Sequence, residues 1–236
     1  MLWWALQRAG GLGTWAMPHG LGTLGHLLLA SLQPLLLALR LGPFFASCAL
    51  YFLLWLPSDE PSWTSALVKC LPVLCLALLV HTTAPSGPYG RFIWVGLLCS
   101  ALGDVFLIWP DQFLFGTTAF AAAHLFYVRA LGWLPLRPAL LGSVLATFGL
   151  YFGVLQPHLP SSLHLPTLVY AAVLGLMLWR ALARGTPAAL GGLLFSVSDT
   201  VLAWDTFVRP LPAGRLIVMV TYYSAQALLA LSAVDS

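Results

Sequence analysis

Charge is what this chain has least of. Only 7% of its 236 residues are charged, 60% are hydrophobic, and mean hydropathy is +0.92. A soluble domain carries about 25% charged residues. Too little polar surface is present to cover a water-facing fold, so the chain reads as an integral membrane protein with several spans. Its Lys and Arg residues are scattered singly and the net charge is only +3, which leaves no basic patch and excludes a nucleic-acid partner. Cysteine is sparse too. Cys48, Cys70, Cys75 and Cys99 lie in apolar segments at spacings that fit neither a disulfide framework nor a zinc site. They read as small buried hydrophobes. The sequence also lacks a Gly-x-Ser-x-Gly elbow, a His-Glu-x-x-His pair, a phosphate loop and a dinucleotide fingerprint. The histidines have no ligand spacing, so neither a metal nor another cofactor is expected.

Long apolar runs, bounded by Pro, Gly and charge, dominate the rest. They predict an all-α, polytopic membrane helix bundle with eight core transmembrane helices near 43–57, 63–82, 90–109, 112–131, 137–156, 164–183, 187–207 and 213–233. Residues 43–233 form the expected membrane domain. Residues 1–42 form a leader, either an interfacial helix or an extra span, because Gln33-Pro34 interrupts the apolar stretch Leu21 to Leu41 and Gly42-Pro43 separates it from the next run. No basic segment precedes that stretch, so it does not read as a signal peptide. Arg91, Arg129, Arg137, Arg180 and Arg184 fall at one set of span ends, after Arg8 and Arg40 on the same side. The other side has Arg209 and Arg215 with Asp59, Glu60, Asp111 and Asp205. The Arg-rich side and the C-terminus are therefore expected in the cytosol.

Against this background two aspartates stand out. Gly96-Leu-Leu-Cys-Ser-Ala-Leu-Gly-Asp104-Val-Phe-Leu-Ile-Trp109 is repeated as Gly191-Gly-Leu-Leu-Phe-Ser-Val-Ser-Asp199-Thr-Val-Leu-Ala-Trp204 after a shift of 95 residues. The same shift carries Tyr127 onto Tyr222. A carboxylate at a helix centre within a membrane costs roughly 2.5–3.5 kcal/mol on insertion scales. The copies fall four spans apart, which preserves direction and predicts two parallel four-helix repeats. Both aspartates are expected about 8 Å from the non-cytosolic end, at 1.5 Å per residue, and Lys69 lies in the same layer. One reading is a packing ion pair. The other starts from two carboxylates competing for one lysine beside Ser100 and Ser196, with Trp109 and Trp204 near by. One protonated acid and one carboxylate would then coexist, a division that suits general acid–base work.

Two further clusters accompany them. His124 and Tyr127 share a helix face, as do Tyr222 and Gln226, with Tyr223 adjacent. Such groups glue helices together, or they line a cavity with the aspartates. His124 and Tyr222 are expected about 7–10 Å deeper on the helix count, which would make that cavity elongated.

The runs Tyr51-Phe-Leu-Leu-Trp-Leu-Pro57, Lys69-Cys-Leu-Pro72, Ser100-Ala-Leu-Gly-Asp104-x-x-Leu-Ile-Trp109, His124-x-x-Tyr127, Phe195-Ser-Val-Ser-Asp199 and Thr221-Tyr-Tyr-x-Ala-Gln226 occur in order over about residues 43–233. In this combination the chain resembles the YhhN-type transmembrane family, whose animal members are lysoplasmalogenases. The resemblance implies hydrolysis of the sn-1 vinyl ether bond of a lysoplasmalogen, an alkenyl-glycerophosphocholine or -ethanolamine, to a fatty aldehyde and the glycerophospho compound. It implies a lysophospholipid substrate within membrane lipid, a place in the endoplasmic reticulum membrane, and allows a homodimer. The expected catalytic pair is Asp104 and Asp199. Expected substrate contacts are Lys69, Ser100, Trp109, His124, Tyr127, Ser196, Trp204, Tyr222, Tyr223 and Gln226, with Lys69 toward the phosphate and the Trp and Tyr rings toward a choline by cation–π contact. Parallel repeats with intramembrane acids also describe proton-coupled small-molecule or lipid transporters, and a lipid-binding scaffold would use the same ion pair for packing.

Overall fold

Prolines and glycines set the limits of the helices. The computed structural model describes residues 19–55, 61–84 and 87–234, and all regular structure there is helical. The helices are α1 (His19–Leu54), α2 (Trp63–Thr83), α3 (Pro88–Phe106), α4 (Phe113–Leu131), α5 (Pro138–Leu155), α6 (His164–Arg184), α7 (Ala188–Phe207) and α8 (Gly214–Val234). Pro88 and Pro138 open α3 and α5 at the first helical turn, where a missing N–H is harmless. Ser62 caps α2 by accepting the Ser65 N–H at 3.1 Å. Gly132 and Gly185 follow α4 and α6 at positive φ, backbone that glycine adopts without strain.

The eight expected spans correspond one to one with these helices. Seven contain stretches long and apolar enough to cross a membrane, Leu36–Leu54 among them. The exception is α7, whose polar residues Ser196, Ser198, Asp199, Thr200 and Asp205 lie all round the helix. It packs against α6 and α8, and Ser196 and Ser198 are buried there.

The chain divides into a unit ending at Arg40 and a unit from Leu41 onward. The expected interruptions do not appear, since α1 continues through Pro34 and Pro43, as α2 does through Pro72. A proline forfeits one backbone hydrogen bond, whereas a broken helix in an apolar setting leaves several groups unsatisfied. The leader residues 1–18 and the acidic turn at 56–60 lie outside the described residues.

The packing pattern carries the repeat into three dimensions. Helix α2 packs on α3 and α3 on α4. In the second half α6 packs on α7 and α7 on α8. The halves join through α4 on α6 and α8 on α2, contacts that exchange under the same four-helix shift. The glycines that open the repeated stretch explain part of this. A Cβ on Gly96 would fall inside the Tyr127 ring of α4, and one on Gly191 would lie 3.2 Å from the Ala225 carbonyl of α8. Each therefore lets its helix approach the next closely, the usual device of membrane helix pairs.

At the Arg-rich end, fully buried Arg180 holds the α4–α5 connection. Its Nε donates to the Gly132 carbonyl at 2.6 Å and its Nη1 to that of Pro135 at 2.8 Å.

Candidate active site

The functional side chains gather at the opposite end. There the N-terminal halves of α2, α4, α6 and α8 meet the C-terminal parts of α3, α5 and α7 around a cavity of about 760 Å³. Asp104 and Asp199 both line it, together with Lys69, Tyr170, Tyr222 and Arg215. Phe120, Phe148, Phe152, Leu155 and Leu174 supply apolar wall.

Asp104 stands in the last turn of α3 and is 1% exposed. Its Oδ2 accepts a hydrogen bond from the Tyr222 hydroxyl at 2.6 Å, and its Oδ1 lies 3.8 Å from Lys69 Nζ. Lys69 is placed in turn by its own carbonyl, which accepts from the Tyr223 hydroxyl at 2.8 Å.

Asp199, nearer the middle of α7, meets different partners. Its Oδ2 accepts from the Tyr170 hydroxyl at 2.5 Å. The Tyr170 oxygen lies 3.1 Å from His124 Nε2, which is itself 3.7 Å from Asp199. With Nε2 protonated, a continuous chain runs from the imidazole through the phenol to the carboxylate. His124 is fully buried, and its Nδ1 has no hydrogen-bond partner among the described residues.

Phe195 packs beneath both groups. Its ring is edge-on to His124 at 4.6 Å and to Tyr222 at 5.5 Å between centroids. Two acids with separate hydrogen-bond partners thus face one partly apolar space. Among the described residues no group of three or more His, Cys, Asp and Glu side chains is placed to hold a metal ion.

The YhhN family pattern matches residues 64–233. The chain belongs to the YhhN family. It is 52% identical over 206 residues to lysoplasmalogenase TMEM86B of Sus scrofa, covering 87% of this chain and 91% of that one. It is 44% identical over 216 residues to lysoplasmalogenase TMEM86A of Homo sapiens, covering 84% and 89%. A lysoplasmalogenase of Mycobacterium bovis matches at 30% identity over 174 residues, 65% of this chain and 66% of that one. No solved structure matches.

Within this YhhN fold the expected site residues separate into groups. Lys69, Asp104, Asp199 and Tyr222 line the cavity, and His124 reaches it through Tyr170. The helix count put Tyr222 and His124 about 7–10 Å deeper than the carboxylates. Side-chain length spans the difference, and the hydroxyl and imidazole meet the acids directly.

Tyr127, Ser100 and Gln226 form a buried cluster away from the cavity. The Tyr127 hydroxyl donates to Gln226 Oε1 at 2.7 Å and lies 3.3 Å from Ser100 Oγ, tying α3, α4 and α8. Ser196 bonds back to the Gly192 carbonyl of its own helix at 2.9 Å. Trp109 lies beyond the end of α3, which stops at Phe106. Proline at position 110 holds Trp109 in extended backbone, and its ring packs on Trp63 at 4.8 Å. Trp204 faces a separate groove with Arg209 and Leu211. Neither tryptophan lines the main cavity.

Tyr170 and Arg215 are absent from the expected set. One signal for Tyr170 was available, since it and Thr167 are the only hydroxyl side chains on α6. It also stands seventh in α6, as Lys69 stands seventh in α2.

Proposed function

We propose that the protein hydrolyses the sn-1 vinyl ether of lysoplasmalogens, with Asp199 as proton donor and Asp104 as the carboxylate. The observation that carries this is the pair of aspartates with unlike partners on one amphipathic cavity. Membership of a family with relatives named lysoplasmalogenase supports the substrate class.

Vinyl ether cleavage begins with protonation of the β-carbon. The product is an oxocarbenium ion, which water captures to give a hemiacetal. Glycoside hydrolysis passes through a similar cation between two carboxyl groups. Protonated Asp199 donates to carbon, and ionised Asp104 stabilises the cation and takes a proton from the attacking water. The roles then reverse. Asp104, now protonated, donates to the departing glyceryl oxygen, while Asp199 removes the hemiacetal O–H proton. The C–O bond breaks, aldehyde and alcohol leave, and both acids return to their starting states. Lys69 beside Asp104 supports the negative charge there. The Tyr170 hydroxyl, itself held by His124, orients the Asp199 carboxyl, which has no Lys or Arg within ion-pair range among the described residues. We further place the protein in the endoplasmic reticulum membrane with its C-terminus in the cytosol, on the strength of the Arg-rich span ends and the family likeness, and read a homodimer as its assembly.

Purified protein in detergent, supplied with lysoplasmalogen and assayed for aldehyde, tests the reaction. Release that disappears in Asp104→Asn and in Asp199→Asn, with folding intact, is expected. Full activity in either variant would sink the mechanism. Vectorial uptake into vesicles without aldehyde release would replace hydrolysis with transport.

A further inference from the structure

The lipid required by this reading carries a phosphodiester, and one cation on the cavity wall is not engaged by the aspartates. Arg215, in the first turn of α8, has no carboxylate within ion-pair range among the described residues, whereas Lys69 lies 3.8 Å from Asp104. The acid closest in sequence, Asp205, is occupied in accepting the Leu211 N–H at 2.6 Å. Arg215 is nonetheless held in place. Its Nε donates to the Tyr51 hydroxyl at 3.2 Å, and its Cζ lies 4.4 Å from the centroid of the Trp55 ring. That leaves the two terminal nitrogens, the pair suited to bidentate contact with a phosphate. A cation in this turn is also repelled by the positive end of its own helix, so a bound anion would relieve an unfavourable placement.

The spacing agrees with the substrate. Arg215 and Tyr222 are seven residues apart, hence on one face of α8 and about 10 Å apart along its axis at 1.5 Å per residue. Val218 and Met219 line the wall between them. Tyr222 marks the reacting end, because it bonds Asp104. In a lysoplasmalogen seven bonds separate the vinyl β-carbon from phosphorus, roughly 9 Å when extended with ordinary bond lengths. The hydrocarbon chain also has a place. Phe148, Phe152 and Leu155 of α5 line the cavity. Helix α5 packs on α6 and α7, whereas the Tyr51–Arg215 pair joins α1 to α8. The polar pole and the apolar pole therefore lie toward different flanks, with the acids between.

We propose that Arg215, positioned by Tyr51 and Trp55, binds the phosphodiester of the lysophospholipid, in place of Lys69. This rests on the hydrolase reading above. The test compares two substrates of equal chain length in detergent micelles, 1-alkenyl-lysophosphocholine and 1-alkenylglycerol, which lacks the phosphate. In Arg215→Gln, kcat/KM for the phospholipid should fall roughly 10- to 100-fold, the range for a hydrogen bond to a charged group, mostly through KM. The ratio of phospholipid to alkenylglycerol cleavage should fall at least tenfold, and Arg215→Lys should recover part of it. Lys69→Met should lower both substrates alike. Equal losses on both substrates in Arg215→Gln, or no loss on either, would overturn the assignment. So would inhibition by inorganic phosphate that Arg215→Gln relieves without a change in the substrate ratio, because that marks a free-anion site. If the wild type cleaves neither substrate, the hydrolase reading fails. Binding of the non-hydrolysable 1-alkyl-lysophosphocholine then decides on Arg215 alone: weaker binding in Arg215→Gln supports it, and equal binding overturns it.

Discussion

Asp104 and Asp199 come from matching stretches of sequence, yet their surroundings differ in every partner. Asp104 is closed off between Lys69 and Tyr222, while Asp199 ends a chain of Tyr170 and His124. The repeated tyrosines show where the symmetry breaks. Tyr222 reaches the carboxylate of the first half, but its counterpart Tyr127 turns to Gln226 and Ser100 and leaves Asp199 to α6. Duplication supplies two equivalent acids, and the helices packed around them decide which is held beside a cation. That difference is what acid–base chemistry requires of two otherwise identical groups.

The largest effect should come from the acids themselves. Asp104→Asn and Asp199→Asn should each lower aldehyde release by at least about 10²- to 10⁴-fold, the usual worth of a positioned acid or base. The two variants should differ in pH profile. With its donor removed, Asp199→Asn should depend on hydronium, its residual rate rising about tenfold per unit fall in pH. Asp104→Asn should show no such slope. Identical profiles measured from pH 5 to 8 would erase the division of labour.

Next in size is the ion pair. Removing one partner of a buried pair leaves an uncompensated charge, at about 3–5 kcal/mol. Lys69→Met should therefore lower the thermal midpoint markedly, and Lys69→Met with Asp104→Asn should restore most of it without restoring activity. A double variant no more stable than Lys69→Met would mean that the two groups do not form a pair.

Tyr170→Phe should come third. It removes the hydroxyl that orients Asp199 and should reduce kcat about tenfold, with a stability loss of about 1 kcal/mol for one hydrogen bond. Tyr222→Phe should cost similar stability and less kcat, because Lys69 still holds Asp104. Equal rates for the two variants in single-turnover assays would remove the Tyr170 contact from the mechanism.

The smallest effects should separate the two repeat glycines. Gly96→Ala would place its Cβ inside the Tyr127 ring, whereas Gly191→Ala meets neighbours at 3.1–3.3 Å. Melting temperatures should fall further for Gly96→Ala than for Gly191→Ala.

Much of this architecture was legible in the residues. Apolar runs anticipated every helix of the bundle, and the shift relating Asp104 to Asp199 anticipated the parallel halves that the α4–α6 and α8–α2 contacts complete. Depth read from residue counts was a poor guide to which side chains meet. Helix ends moved, as when Pro110 forces Trp109 out of α3, and long side chains crossed the counted gap from Tyr222 to Asp104. Tyr170 and Arg215 were passed over for a related reason. A lone tyrosine on an apolar span and an arginine at a span end are ordinary by composition and acquire meaning only from what they face.

Sequence alone determined that this chain lies in a membrane, how often its apolar runs recur, and that two of its few acids stand in equivalent contexts. These follow from burial cost and helix length, which are sums along the chain. Tertiary structure alone decided that Lys69 belongs to Asp104, that Tyr170 and His124 belong to Asp199, and that Arg215 meets Tyr51 and Trp55 with no carboxylate beside it among the described residues. Each of those depends on which helix lies beside which, a relation between residues distant in sequence that no local pattern encodes.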